Sequence, residues 1–347
     1  MISQDEKYMR RALELAKLGK GNDAPNPMVG SVIVCDEEII GEGYHQKCGE
    51  AHAEVNAINS VKDKSLLSQS TIYVNLEPCA HFGKTPPCSN LIIDSNIPRV
   101  VIGCIDSYAE VAGKGIEIMQ KAGIDVTVGI LEKESLELNK RFFTFHSKKR
   151  PYVILKWAQS ANGMMDIDRS QSQKGIFWIT QPQTKLLVHK WRAEESGILV
   201  GRKTVENDNP SLTCRDYFGN NPTRIVIDKD LKIDYTDKNI INQEAETFIF
   251  NQIKSEQIGN VHYIKLNDFN LKSILFELYQ KDIQSVIIEG GKHTIQQFIN
   301  ENLWDEARVL TGVGSIENGI KSPILNQTVI KSFKFGEDEV KVYQNHT

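Results

Sequence analysis

One histidine, one glutamate and two cysteines in the N-terminal part of the chain form the pattern with the clearest chemistry. His52 and Glu54 stand two positions apart, and Cys79 and Cys88 follow downstream. Catalytic zinc usually takes three protein ligands and keeps a fourth position for water, and one imidazole with two thiolates suits zinc. We therefore predict His52, Cys79 and Cys88 as ligands of a hydrolytic zinc site that lowers the pKa of water to about 7. Glu54 is then the general base and general acid.

The order of these residues is typical of zinc-dependent nucleobase deaminases, which attack a ring carbon that bears an exocyclic amine. The spacing is unusual, because eight residues separate Cys79 from Cys88, whereas two are usual. A strand predicted over Thr71–Leu76 and helices predicted over 51–58 and 88–94 place the ligands at the ends of these elements. The alternative is a structural zinc site with a fourth protein ligand, His81 or Cys48.

Length, charge and hydropathy limit the class of protein. A chain of 347 residues predicts about two domains. The formal net charge of −4 does not indicate a nucleic-acid-binding protein. No apolar run reaches the roughly 18 residues that a membrane span requires, and the polar start lacks a signal-peptide core. We therefore expect a cytoplasmic protein without a membrane or nucleic-acid partner.

Both halves of the chain alternate predicted strands with predicted helices, which indicates two α/β domains. The basic segment 147–151 is the predicted boundary, so that the domains comprise residues 1–147 and 151–347. Two late segments, 307–310 and 340–343, are predicted as edge strands of the second sheet.

The N-terminal half resembles the deaminase part of the bifunctional riboflavin-biosynthesis deaminase–reductase family. The matching stretches are residues 25–30 (PNPMVG), 52–55 (HAEV) and 76–88 (LEPCAHFGKTPPC), and the last contains the wide cysteine spacing. Related tRNA adenosine and cytidine deaminases have closer cysteines. The resemblance implies a cytidine-deaminase-like three-layer domain. It also implies substrate-pocket roles for Asn26, His45, His81, Lys84 and Asp106.

The C-terminal half resembles the family's reductase domain, which has a dihydrofolate-reductase-like fold. The matches include residues 156–160 (KWAQS), 201–205 (GRKTV), 208–213 (DNPSLT) and 288–291 (IEGG). No G-x-G-x-x-G fingerprint is present, but a Gly-Gly turn before a helix can bring backbone N–H groups to a phosphate. The resemblance implies NADPH contacts from Gln159, Trp178, Thr204, Asp208, Gly290 and Gly291. It implies substrate contacts from Arg192, Leu212, Arg215 and Glu289.

The resemblance, together with the zinc motif, implies two catalytic domains. The first would deaminate a small pyrimidine ribonucleotide-like substrate at zinc, and the second would reduce the ribosyl group of the product to ribityl with NADPH. Arg192 and Arg215 would grip the substrate phosphate, and Glu289 is the candidate acid of the second domain. The alternatives are a nucleic-acid or nucleoside zinc deaminase with a non-catalytic binding domain, and a zinc-stabilised binding protein that senses NADPH. The sequence leaves the oligomeric state open, a homo-oligomer included.

Overall fold

The chain divides into two compact units, Met1–Lys149 and Arg150–Thr347. The computed structural model describes residues 3–80, 86–106, 113–169 and 174–345. A helix runs over Lys140–Lys148, into the segment predicted as the boundary, and ends at Lys149 in the left-handed conformation with φ 53°. Within the described ranges, no helix combines the length and the apolar character that a membrane crossing needs.

Unit 1 contains one five-stranded sheet in the order β2-β1-β3-β4-β5, where β3, β4 and β5 run parallel and β1 is antiparallel to both of its neighbours. Its strands are β1 Gly30–Cys35, β2 Glu38–Tyr44, β3 Thr71–Leu76, β4 Arg99–Cys104 and β5 Asp125–Val128. Its α-helices are α1 Gln4–Ala16, α2 Ala53–Ser60, α3 Cys88–Asp94, α4 Lys114–Lys121, α5 Glu132–Leu138 and α6 Lys140–Lys148. Two 3₁₀ helices span Lys17–Gly19 and Lys64–Gln69.

Helices cover both faces of this sheet. Successive side chains of a strand point to opposite faces, and in β1 Ile33 packs with Ile92 of α3 and Met119 of α4, whereas Val32 packs with Met9 of α1. Unit 1 therefore consists of three layers, with helices on either side of one sheet, as predicted. The parallel strands β3 and β4 end at the same edge, so that the chain segments that follow them lie close together.

Unit 2 contains a ten-stranded sheet in the order β11-β12-β10-β9-β8-β13-β6-β14-β17-β16, and β15 pairs with β7 outside it. The first six strands are β6 Tyr152–Gln159, β7 Met164–Ile167, β8 Gly197–Gly201, β9 Thr223–Ile227, β10 Thr247–Asn251 and β11 Glu256–Ile258. The others are β12 Val261–Lys265, β13 Ser285–Ile288, β14 Glu306–Thr311, β15 Gly319–Lys321, β16 Val329–Phe335 and β17 Asp338–Gln344. The helices are α7 Pro182–Glu194, α8 Arg202–Asp208, α9 Leu271–Gln280, α10 Lys292–Asn300 and a 3₁₀ turn Asn239–Ile241.

The prediction of β14 and β17 as edge strands is wrong. β14 pairs with β6 and β17, and β17 also pairs with β16, which forms the edge. β16 is mostly exposed, so its sequence lacks the buried alternation that marks a strand. The neighbouring parallel strands β8, β13 and β6 bring their carboxyl ends to one edge, which is where open α/β sheets bind ligands.

Candidate functional site

The three predicted zinc ligands of unit 1 converge. His52 is the residue directly before α2, Cys88 is the first residue of α3, and Cys79 lies in the loop after β3. Nδ1 of His52 lies 3.6 Å from Sγ of Cys79 and 3.3 Å from Sγ of Cys88, and all three donor atoms lie within 4.8 Å of one another. Zn–N and Zn–S bonds of about 2.0 and 2.3 Å place neighbouring donors of a tetrahedral site about 3.5 Å apart. The donor set therefore fits zinc.

The surroundings of the two thiols shift their pKa values in opposite directions. The Cys88 side chain and the imidazole of His52 stabilise the Cys79 thiolate, and they outweigh burial to lower the pKa of Cys79 to about 4. The backbone N–H of Cys88 also donates to Sγ of Cys79 over 3.3 Å. The contact with Cys79, together with burial, raises the pKa of Cys88. Metal binding would displace the protons that the two thiols carry.

Glu54 lies beside this cluster. It sits in the first turn of α2 and is 3% exposed. Burial, followed by the negative charge of Cys79, raises the pKa of the Glu54 carboxyl to about 7, and the carboxyl contacts the thiol of Cys88. Cys48, one of the alternative fourth ligands, is not a member of the donor cluster found among the described residues. The arrangement matches a proton-transferring carboxyl next to three metal ligands.

Asn26 and His45 form a polar wall next to the ligands. Nε2 of His45 lies 3.0 Å from Nδ2 of Asn26, and its Nδ1 lies 3.1 Å from the carbonyl oxygen of Ala51. Because an amide nitrogen donates and a carbonyl accepts, Nδ1 of His45 carries the hydrogen and the ring is neutral. Burial lowers the pKa of His45 accordingly. The ring meets that of His52 edge-on, with centroids 5.7 Å apart.

Two buried asparagines hold the loop that carries Asn26. Asn139 accepts the N–H of Met28 at 2.8 Å and donates to the Met28 carbonyl at 3.0 Å. Asn75 donates to the same carbonyl at 3.0 Å and accepts the N–H of Gly30 at 2.7 Å. Our sequence reasoning missed both residues. An Asn inside the apolar strand β3 was an available signal, since a buried amide is costly unless it is hydrogen-bonded.

Glu77 connects the loop after β3 with the chain that follows β4. Its buried carboxylate accepts backbone N–H groups from Asp106 at 3.3 Å, from Gly113 at 3.0 Å and from Gly115 at 3.0 Å. Asp106, a predicted substrate contact, is thereby tied to the loop that holds Cys79. The role of Glu77 was also missed. Two predicted substrate contacts lie outside the described residues, namely His81 and Lys84.

The second site lies at the carboxyl ends of β8 and β13, where Gly201 and the Gly290–Gly291 turn meet, and Gln159 ends the neighbouring strand β6. The N–H of Gly291 donates to Oγ1 of Thr204 at 3.2 Å. A Cβ at Gly290 would lie 2.9 Å from the Gly201 nitrogen, whereas a Cβ at Gly291 would meet only Thr204 Oγ1, at 3.8 Å. The structure thus brings together three of the six predicted cofactor contacts, Thr204, Gly290 and Gly291. The side chain of Gln159 accepts a hydrogen bond from Trp157 at 3.0 Å and donates to Thr311 at 3.4 Å.

The other two predicted cofactor contacts, Trp178 and Asp208, have partners of their own. Trp178 is 55% exposed, and the Lys185 ammonium lies 3.6 Å from the centroid of its indole ring. Asp208 ends α8 and pairs with Arg169 at 3.2 Å. Burial raises the pKa of Asp208 to about 6, against the charge of Arg169. Neither residue hydrogen-bonds to the Gly290–Gly291 turn in the part of the chain that the structure describes.

A buried cluster of charges lies beside this turn. Glu289 pairs with Arg192 at 2.8 Å and with Lys156 at 3.5 Å. Burial raises the pKa of Glu289, but the charges of Arg192 and Lys156 outweigh it and lower the pKa to about 2. The carboxylate therefore stays ionised near neutral pH, which argues against the predicted role of Glu289 as an acid. The Glu289 carboxylate instead orients the guanidinium of Arg192 through the hydrogen bond between them.

The two predicted phosphate-binding arginines meet at Thr213. Arg192 donates to the Thr213 carbonyl at 3.2 Å, and Arg215 donates to its hydroxyl at 2.9 Å. Arg215 is otherwise exposed. Leu212, also a predicted substrate contact, packs its side chain into a hydrophobic core cluster. This packing leaves the Leu212 backbone for a substrate contact and anchors the segment that carries Arg215.

Both units match family models. Residues 2–104 match the cytidine and deoxycytidylate deaminase zinc-binding region, and residues 151–314 match the RibD C-terminal domain. The chain is 38% identical to the riboflavin biosynthesis protein RibD of Aquifex aeolicus, over 91% of this chain and 93% of the relative. It is 39% identical to the RibD of Bacillus amyloliquefaciens, over 87% and 82% of the two chains.

Solved structures agree with these sequence matches. A diaminohydroxyphosphoribosylaminopyrimidine deaminase/5-amino-6-(5-phosphoribosylamino)uracil reductase from Thermotoga maritima superposes with a TM-score of 0.89 at 36% identity, over 98% of each chain. The RibD of Acinetobacter baumannii gives a TM-score of 0.89 at 31% identity, over 99% of each chain. The predicted fold class, a cytidine-deaminase-like domain followed by a dihydrofolate-reductase-like domain, is confirmed.

Proposed function

We propose which residues carry out each reaction of this chain, which belongs to the RibD family of riboflavin biosynthesis proteins. It is a bifunctional enzyme with a zinc-dependent deaminase and an NADPH-dependent reductase. We assign the deaminase to residues 1–147 and the reductase to residues 151–347. The substrate of deamination is 2,5-diamino-6-ribosylamino-4(3H)-pyrimidinone 5′-phosphate, and the reductase then converts the ribosyl group of the product to ribityl. The name of the Thermotoga relative supports both assignments.

The proposal for deamination is carried by one observation, the convergence of His52, Cys79 and Cys88 with the buried carboxyl of Glu54 at their side. These three ligands would hold zinc, which supplies an acidified water as the nucleophile near neutral pH. Glu54, at the side of these ligands, would act as the general base for the attacking water and as the general acid for the leaving amine. Asn26 binds the pyrimidine ring through the amide atoms that His45 does not occupy.

The proposal for reduction starts from the Gly290–Gly291 turn. The turn leads into α10, and the first backbone N–H groups of this helix, together with the Thr204 hydroxyl, can bind a phosphate of NADPH. NADPH supplies the reducing equivalents, and the protein supplies orientation. Arg215 binds the phosphate of the substrate by charge-assisted hydrogen bonds. Arg192, whose guanidinium donates to Glu289 and to the carbonyl of Thr213, adds positive charge beside Arg215 for the same phosphate.

The proposed contacts with one pyrimidine ring and one substrate phosphate lead us to propose a free nucleotide-like substrate and no nucleic-acid partner. A reducing, cytoplasmic setting fits two thiols that must remain available to a metal. Assembly into a homo-oligomer stays a prediction.

Metal analysis of purified variants tests the deaminase assignment. We expect one zinc ion per wild-type chain, and loss of zinc in Cys79→Ser and in Cys88→Ser, because each removes one of three ligands. Cys48→Ser is the matched control, since that exposed cysteine lies outside the donor cluster. Full zinc content in both ligand variants would overturn the assignment.

A further inference from the structure

We propose that His189 is a positioning residue of the reductase site, which holds segment 213–216 so that Arg215 reaches the phosphate of the substrate. The inference rests on the proposed function of Arg215. His189 lies on α7, three residues before Arg192. It acts through the backbone of Arg215 rather than on a reacting group.

The geometry defines the state of the ring. Nδ1 of His189 accepts the backbone N–H of Arg215 at 2.8 Å and that of Asp216 at 3.3 Å. Nε2 lies 3.4 Å from a carboxylate oxygen of Asp216. Since backbone N–H groups require a lone pair, Nδ1 is unprotonated and Nε2 carries the hydrogen. One neutral ring thus clamps two consecutive residues.

Burial and charge keep the ring in this state. Burial, followed by the charges of Arg192 and Arg215, lowers the pKa of His189 to about 4, although Asp216 and Glu289 act in the opposite direction. The ring is therefore neutral at neutral pH. In a protonated ring, the N–H at Nδ1 would face the backbone N–H groups of Arg215 and Asp216. Both hydrogen bonds would be lost, and the segment would be released.

Helix α7 holds the same segment at two further points. Arg192 donates to the carbonyl of Thr213 at 3.2 Å. Sγ of Cys214 lies 3.3 Å from the carbonyl oxygen of His189 and 3.0 Å from that of Tyr217, and its one hydrogen is shared between these two acceptors. Residues 215–220 are exposed, so hydrophobic packing does not hold this part of the chain. Leu212 anchors the start of the segment in the hydrophobic core, and the N–H of Cys214 donates to Oδ1 of Asn221 at 2.8 Å. Between these two points, the hydrogen bonds to α7 hold the Arg215 backbone in place.

Steady-state kinetics of reduction test the role, with the full zinc-loaded chain and deaminated substrate supplied from outside. His189→Leu removes the acceptor, and we expect the KM for the substrate to rise about tenfold, in line with the loss of one or two hydrogen bonds. The kcat and the KM for NADPH should stay within about twofold, because the substrate contact alone is misplaced. His189→Asn should restore the KM, because its amide oxygen lies near the position of Nδ1. His189→Gln, whose oxygen extends towards Nε2, should fail like the Leu variant.

Lys190→Ala, an exposed neighbour on α7, is the matched control and should leave all constants unchanged. In an Arg215→Ala background, His189→Leu should add less than about twofold, since both act through one contact. A normal KM in His189→Leu and His189→Gln, or additive effects in the double variant, would overturn the inference alone. Equal losses in the Asn and Gln variants would also overturn it. A normal KM in Arg215→Ala would remove the proposed phosphate contact, and the inference with it.

Discussion

The two glycines after β13 should respond in opposite ways to an added methyl group. A Cβ at Gly290 would lie 2.9 Å from the nitrogen of Gly201 and 3.3 Å from Cα of Val200, both backbone atoms of β8. A Cβ at Gly291 would meet only Oγ1 of Thr204 at 3.8 Å, and its φ of −54° is open to any residue. We predict that Gly290→Ala destabilises unit 2, whereas Gly291→Ala leaves its stability at or slightly above that of the wild type.

The size of the effect follows from overpacking, which costs about 1–3 kcal/mol in a well-packed site. In a unit of roughly 200 residues, 1 kcal/mol corresponds to about 2–4 °C in Tm. The Tm of unit 2 should therefore fall by about 2–12 °C in Gly290→Ala. Deamination should survive in each variant, which provides a control within the same chain.

Thermal unfolding and NADPH titration of the same preparations separate stability from binding. We expect Gly291→Val to bind NADPH at least about tenfold more weakly without a large change in Tm, because a bulky side chain blocks approach of a phosphate to the turn. Equal Tm values for Gly290→Ala and the wild type would refute the steric reasoning. An unchanged NADPH titration in Gly291→Val would remove the proposed phosphate contact.

Three further predictions concern the carboxyl groups. Glu54→Gln should keep zinc, measured by metal analysis, and lose about 10²–10⁴-fold in deamination, because Gln cannot transfer protons; near-normal turnover would contradict the role. The same variant should still reduce deaminated substrate, measured by NADPH oxidation, since the reductase residues lie in the other unit. The pKa of Glu289 falls from 4.5 to about 2 on folding, so about 3 kcal/mol of stability should be present above pH 4.5 and lost as the pH falls towards 2. Urea unfolding should show a steeper loss of stability over this pH range in the wild type than in Glu289→Gln, because other carboxyls with lowered pKa values, such as Asp5, Asp234 and Glu339, remain in both.

The zinc site was predictable because its signals are local. His52 and Glu54 are two residues apart, and the Cys79 and Cys88 ligands border a strand and a helix whose patterns are clear. Ligand type, spacing and element ends agree, so the convergence of the donors follows from the sequence. The assignment of Asn26 and His45 to the substrate pocket came from the family resemblance, and the structure adds the hydrogen bond between them.

The supports of both sites were not predictable in this way. The amide of Asn139 reaches Met28 across 111 positions of sequence, and no periodicity reports such a contact. Glu77 directly follows β3, and nothing in the local sequence indicates that its carboxylate accepts hydrogen bonds from three backbone N–H groups. The edge position of β16 depends on the order of the strands in the mixed ten-stranded sheet, and this order is a property of the tertiary fold.

The central claim is that one chain carries out deamination and then reduction of the same molecule. The most direct test is to incubate the zinc-loaded protein with the diaminopyrimidine substrate, with and without NADPH, and to identify the products by mass. Without NADPH we predict a product in which oxygen has replaced one amine. With NADPH we predict the same product with two more hydrogens on its sugar. An unchanged substrate without NADPH, or a deaminated product that gains no hydrogens with NADPH, would contradict the account.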